Sequence, residues 1–233
     1  MDLYFVFCEK LLTTSILFIE LTLDTMSDST SAGFLICLEG IDGSGKTTHS
    51  KLLVECLCSL SYDAEYTTEP TKWSEQGKKL RESFFAPTRL SAEEEFKLFL
   101  EDRKLHLKEE VIPLLNQGKI IVTDRYYFSS VAYQGSRGLS WKYILNENMK
   151  IAIEPKIVIL LDLSVDEAVE RISNERTHGT NTFEKHESLQ RVRNIYLKLV
   201  NEFPDLFFLI NVSREKEDVH RDILNIILER IKK

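Results

Sequence analysis

The stretch FLICLEGIDGSGKTT, residues 34–48, decides how this chain is read. Its first part, Phe34 to Leu38, is a short apolar run without alternation, as expected of a strand buried on both faces. From Gly40 to Thr47 the chain satisfies G-x-x-x-x-G-K-[ST] in full, and Leu52, Leu53 and Cys56 then follow with helical spacing. Strand, glycine-rich loop and helix in that order build a phosphate cradle. The backbone N–H groups of Gly40, Ile41, Asp42, Gly43, Ser44 and Gly45 converge on a phosphate, the helix N-terminus adds positive potential, and Lys46 places an ammonium on the β- and γ-phosphates. Lys46 is expected in a solvated part of the loop, Thr47 offers a hydroxyl to Mg2+, and Thr48 completes the ATP-binding set.

Outward from the loop, apolar runs alternate with helical patterns, which predicts an α/β domain with a mainly parallel sheet. Five strands are expected, at Phe34 to Leu38, Ala64 to Thr68, Ile120 to Thr123, Ile157 to Leu163 and Leu206 to Val212. A long helix should start after Ser91, which forms a capping box with Glu94, and stop at Gly118. It places Phe96, Phe99, Leu100, Arg103 and Leu107 on one face, and Pro113 should bend its last turns. Val219, Ile223, Ile227 and Ile231 mark a closing amphipathic helix. Residues 1–25 show little periodicity and 26–33 have linker composition, so the expected domain covers 34–233 behind an extension of 1–33, with Met26 as a second candidate start.

Composition narrows the function classes. Of 233 residues, 43% are hydrophobic and 29% charged, which excludes disordered and fibrous chains. The net charge of -7 argues against broad binding to nucleic acid or an anionic membrane. Cys8, Cys37, Cys56 and Cys58 lack the spacing of a zinc or redox site and read as reduced thiols. Glu9, Lys10 and Glu20 interrupt the apolar N-terminus, which lacks a basic leader region, so neither a membrane span nor a signal peptide is expected and the location expected is cytoplasmic. The histidines show no metal-ligand spacing and are expected to be solvated or locally bonded.

A phosphate loop alone leaves GTPase, motor and kinase open. The chain has no N-K-x-D and no motor-sized insertion, and its compact size suits a small-molecule kinase, which needs a second phosphate site. Asp124 and Arg125 follow the apolar run KIIV, at the end of a strand where open α/β sheets bind ligands. The carboxylate can hold Mg2+ through water and the guanidinium can grip a phosphate bidentately. Asp162, at the end of ILLDL, is read as a turn and helix-cap residue.

The motifs GIDGSGKTT, EPT, LFLEDRKLH, DRYYFSSVAYQG and RISNERTHGTNTFE, in that order and at this spacing, resemble those of thymidylate kinases from about Phe34 to the C-terminus. The resemblance implies a P-loop NTPase fold with a mobile lid and transfer of the γ-phosphate of ATP to dTMP with Mg2+, usually by a homodimer. It also implies roles. Asp42 would hydrogen-bond the acceptor's 3′-hydroxyl, Arg125 would hold its phosphate, and Glu69 of EPT would belong to the acceptor site. Phe99 would stack on the pyrimidine while Arg103, one turn on, donates to its O4. Ser130 and Gln134 fall where relatives contact the base, and Tyr133 where a ring crowds the 2′ position.

The chain also departs from its relatives. Thr68 stands where many carry arginine before Glu69-Pro70, with Arg81 a candidate substitute, and Asn181 where many carry aspartate before the lid residue Glu184. Gly43 stands where one class carries a loop arginine. The missing catalytic charge is then expected from the lid, with Arg176 as its cation, Arg171 against the adenine, and Arg191 and Arg193 next in line. The alternatives are a deoxynucleoside kinase, a kinase for another pyrimidine monophosphate, and a nucleotide-dependent regulatory switch, the last disfavoured by Phe99, Arg103 and Arg125.

Overall fold

The computed structural model describes residues 33–175 and 182–231. Five strands, β1 (Phe34–Glu39), β2 (Ala64–Thr68), β3 (Ile120–Asp124), β4 (Ile157–Asp162) and β5 (Phe207–Asn211), form one sheet in the order β2-β3-β1-β4-β5. Every pairing is parallel. The sheet is therefore the expected one, and strand ends differ from expectation by at most 1 residue.

Around it lie α1 (Lys46–Ser59), α2 (Glu75–Ser83), α3 (Ala92–His106), α4 (Ile112–Asn116), α5 (Tyr127–Ser136), α6 (Trp141–Met149), α7 (Val165–Glu175), α8 (Thr182–Glu202) and α9 (Lys216–Ile231). Helix α1 packs across β1, β2 and β3, α9 packs on α1 and β5, and α8 lies against α5 and β5. Covered in this way, Leu35, Ile36, Cys37 and Leu38 of β1 are wholly buried, each large aliphatic contributing about 1.5 to 3 kcal/mol.

Helix α3 begins as its sequence dictates. The Glu94 N–H donates to Ser91 Oγ at 3.2 Å, and the Ser91 N–H donates back to the Glu94 carboxylate at 2.9 Å. A π-helical turn, Leu107–Val111, joins α3 to α4, where Pro113 has no N–H for the helical ladder. The irregular turn thus lies just before the proline.

Register positions the site. Leu38 pairs with Asp124, and Asp124 with Thr68, so β1, β3 and β2 end in one row. The phosphate loop, Arg125 and Glu69 all leave the sheet at this edge. Residues 1–32, with the expected extension and the Met26 start, and 176–181, with Arg176 and Asn181, lie outside the described residues. No helix among the described residues is long and apolar enough to cross a membrane.

Candidate active site

The phosphate loop turns through two left-handed glycines. Gly45, at φ 86°, forms the N-cap of α1. Gly43, at φ 83°, faces α7 so closely that a Cβ would lie 3.0 Å from the Ala168 carbonyl oxygen. Any side chain at position 43 would have to displace α7 or distort the loop.

Lys46 is buried, which corrects the solvated placement expected for it. Its Nζ donates to the Ile41 carbonyl at 2.8 Å, folding the side chain back over the loop. Burial, then the nearby Arg125 charge, lowers its pKa to about 8.

Thr47 Oγ1 donates to Asp124 Oδ2, joining the start of α1 to the end of β3. Asp124 Oδ1 is buried without a hydrogen-bond partner among the described residues. An orphaned carboxylate oxygen costs about 1 to 3 kcal/mol, and a hard cation would relieve it. The oxygen donors of Thr47 and Asp124 fit a hard cation such as Mg2+, which they would hold. Nearby, Arg171 donates to the carbonyls of Gly43 at 3.4 Å and Val212 at 3.0 Å, so it lies beside the phosphate loop.

Arg125 is a non-glycine residue at φ 73°, a conformation that costs about 1 to 3 kcal/mol. Its N–H donates to the Leu38 carbonyl at 3.1 Å. The guanidinium reaches Asp42 Oδ1 at 2.5 Å, donates to Ser129 Oγ at 3.2 Å and lies over the Tyr133 ring at 4.9 Å.

Behind it stands Glu39, which the motif reading passed over. This wholly buried carboxylate accepts from the Tyr126 N–H at 2.8 Å, Ser129 Oγ at 2.6 Å and Tyr196 Oη at 2.8 Å, and its burial raises its pKa. An acid ending an otherwise apolar strand was the available signal.

A cleft of about 740 Å3 opens from this edge. Asp42, Thr47, Asp124 and Arg125 line it together with Glu69, Phe99, Tyr133 and Gln134. Arg81 also lines it, donating to the carbonyls of Pro70 and Thr71. Thr68 Oγ1 instead donates to the Asp124 carbonyl at 3.0 Å.

Two expected contacts of the base sit behind the cleft wall. Arg103 is wholly buried, donating to Glu69 Oε2 at 2.8 and 2.5 Å, to Ser130 Oγ at 3.3 Å and to Asn148. Its guanidinium is spent on the protein, and Ser130 is buried with it. Glu69 also meets His106 Nδ1 at 3.1 Å, and Thr67 Oγ1 lies 2.7 Å from His106 Nε2. Burial opposes charge on His106, but bonds to Glu110 and Glu69 outweigh it and lift its pKa to about 9. Burial likewise pushes Glu69 up, yet Arg103 and His106 bring it below the ordinary value.

Of the histidines expected to be solvated or locally bonded, His106 is buried but bonded one turn along its helix to Glu110, whereas His49 and His220 are buried with their rings stacked at 6.0 Å, which corrects the solvated reading for these two. Asp162 departs as well. It binds Arg193 bidentately at 2.7 and 2.8 Å, while Ser164 Oγ accepts the Glu167 N–H at 3.3 Å and caps α7. Register aims the carboxylate at α8 and leaves the cap to a hydroxyl nearer the helix. Arg193 is therefore already engaged, and Arg191 lies 3.8 Å from Glu187.

Comparison with known proteins gives the same picture. The family model described as thymidylate kinase matches residues 38–223. A "Probable thymidylate kinase" of Pyrococcus horikoshii is 43% identical over 202 residues, covering 84% of this chain and 96% of its own. A thymidylate kinase of Brachyspira hyodysenteriae is 38% identical over 84% of this chain and 94% of its own. One of Desulfotalea psychrophila is 36% identical over 88% and 98%. A phosphate loop, a strand-end Asp-Arg pair and an aromatic-walled cleft on one five-stranded parallel sheet accord with these matches, and the chain belongs to the thymidylate kinase family.

Proposed function

We propose that the protein transfers the γ-phosphate of ATP to dTMP, yielding dTDP. One observation carries this reading: Arg125 stands 2.5 Å from Asp42, so a phosphate-gripping cation adjoins the phosphate loop within one cleft. That arrangement suits two nucleotides meeting phosphate to phosphate. The loop N–H groups and Lys46 hold the donor, and Arg125 holds the acceptor phosphate. Asp42 takes the sugar 3′-hydroxyl, Phe99 offers a ring face to the base, Gln134 contacts its edge, and Tyr133 crowds the 2′ position. Thr47 and Asp124 would hold Mg2+, which neutralises phosphate charge when bound. Phosphoryl transfer asks little covalent chemistry of the protein, so alignment and charge carry the rate.

Arg176 is the lid cation in this scheme, and Arg171 lies against the adenine. The enzyme works in the cytoplasm as a homodimer to whose interface the long helix beginning at Ser91 contributes, and sedimentation as a 27.1 kDa monomer at micromolar concentration would overturn the dimer.

The test of the reaction is ADP release from ATP across a panel of nucleosides and monophosphates. The expected order is dTMP, then dUMP by about tenfold less, since one methyl in an apolar pocket is worth roughly 1 to 3 kcal/mol. Turnover of thymidine equal to that of dTMP would make the protein a nucleoside kinase.

A further inference from the structure

Glu95 lies on α3 one turn before Phe99 and belongs to none of the motifs above. It is wholly buried, yet three side chains converge on it. Arg89 donates to it at 2.6 and 3.2 Å, Arg137 approaches at 2.6 Å, and Gln134 Nε2 donates to Oε2 at 3.1 Å. A carboxylate only accepts hydrogen bonds, so it can meet the Gln134 amide only through its nitrogen. The other end of that amide is thereby settled. Gln134 Oε1 is buried and has no hydrogen-bond partner among the described residues, in a side chain that lines the cleft. Within the cleft wall, the group of this amide that is left unspent is thus an acceptor and not a donor.

We propose that Glu95 is a positioning residue that locks the Gln134 amide with its oxygen toward the cleft, so that the site selects a pyrimidine bearing an N3–H. This rests on the reading that the acceptor base lies beside Phe99 and Gln134. Thymine and uracil carry a proton on N3 and satisfy Oε1. Cytosine presents a lone pair at N3, which leaves two acceptors facing each other away from water, and a site built around a buried hydrogen bond rejects such an analogue strongly. The 5-methyl group plays no part in this choice, so selection between imide and amidine bases is separate from selection between dTMP and dUMP.

Glu95→Gln keeps the shape of the side chain but offers either a donor or an acceptor, which frees Gln134 to turn over. Arg89 is only partly covered, at 46% side-chain exposure, so water can take up its released N–H groups, and Arg137 keeps its donation to the Leu90 carbonyl. The experiment measures kcat/KM for dTMP, dUMP and dCMP in the wild-type enzyme and in Glu95→Gln. The expected result is a fall in the dTMP to dCMP ratio of about tenfold or more, with the dTMP to dUMP ratio held within about twofold. An unchanged dTMP to dCMP ratio in the folded variant overturns the proposal, as does a parallel collapse of both ratios, which would mean general loosening of the site.

Should the variant fail to fold, the wild-type protein still decides. The side-chain amide protons of Gln134, assigned in nitrogen-15 spectra by their loss in Gln134→Leu, should exchange slowly with solvent both without and with dTMP, and fast exchange in either state overturns the lock. Wild-type enzyme that phosphorylates dCMP but neither dTMP nor dUMP would overturn the functional reading and this inference together. Wild-type preference for dTMP with no response to Glu95→Gln removes the inference alone.

Discussion

Arg125 and Asp42, 83 residues apart in sequence, meet at 2.5 Å where the end of β3 faces the phosphate loop. The loop that would hold the donor and the strand end that would hold the acceptor are thus joined by one ion pair. Arg125 also sits in a strained backbone conformation, anchored through Ser129 to the buried Glu39. Its aim is set by the fold and not by its own flexibility.

Arg125→Ala should raise the KM for dTMP by at least about tenfold and lower kcat, because a charge-assisted contact to phosphate is lost, while the KM for ATP changes little. Steady-state kinetics with each substrate varied separately check this. Unchanged dependence on dTMP would remove Arg125 from the acceptor site.

Lys46→Ala should reduce transfer by about a hundredfold or more, the usual scale for a lost transition-state charge. The pKa of about 8 adds a pH signature. Only the ammonium form attracts phosphate, so ATP affinity should be full at neutral pH and weaken as pH rises through 8. Calorimetric titration of ATP between pH 7 and pH 9.5 measures it, and Lys46→Arg should flatten the profile. A flat profile in the wild-type protein would reject the assignment.

Arg103→Met and Phe99→Ala should separate stability from binding. Removing Arg103 leaves Glu69 buried without its main partner, a loss of about 3 to 5 kcal/mol. Phe99 lines the cleft, so its loss should act chiefly on dTMP binding. Denaturant unfolding and dTMP titration of both variants form the check. An Arg103→Met protein of native stability with impaired dTMP binding would return Arg103 to the base.

His49 and His220 should make the protein acid-sensitive. Burial lowers their pKa values to about 4 and about 3, below the ordinary 6.5. In that interval the unfolded chain binds more protons, so their contribution is complete above pH 6.5 and is lost as pH falls toward 4 and 3. His106 acts oppositely. Its pKa of about 9 exceeds 6.5, so its contribution is complete below 6.5 and disappears as pH rises through 9. Thermal unfolding across pH should show both slopes, and His220→Phe should flatten the acid one. An unchanged acid slope in that variant would assign it to other groups.

The local part of this molecule was legible from its residues. Apolar runs between turn signals located all five strands, Ser91 and Glu94 marked the start of α3, and the glycine spacing of the phosphate loop identified the strand-loop-helix unit. Each is a short-range matter, decided by backbone freedom, capping and period among residues close in the chain. Family likeness then placed Asp42, Asp124, Arg125, Phe99 and Gln134 in one neighbourhood, and the row of strand ends brings them to one cleft.

What needed the tertiary structure was which polar groups pair once buried. Nothing near Arg103 in sequence reveals that Glu69, Ser130 and Asn148 use its donors, or that His106 closes the same network. Glu95 and Lys46 carry no local mark of their burial, and Asp162 looks like a cap until register turns it toward Arg193. These partners come from strands and helices far apart in the chain. A buried charge must find its counterpart in space, so sequence alone determined the elements and the phosphate loop, while the packing of one element on another decided the wiring behind the cleft.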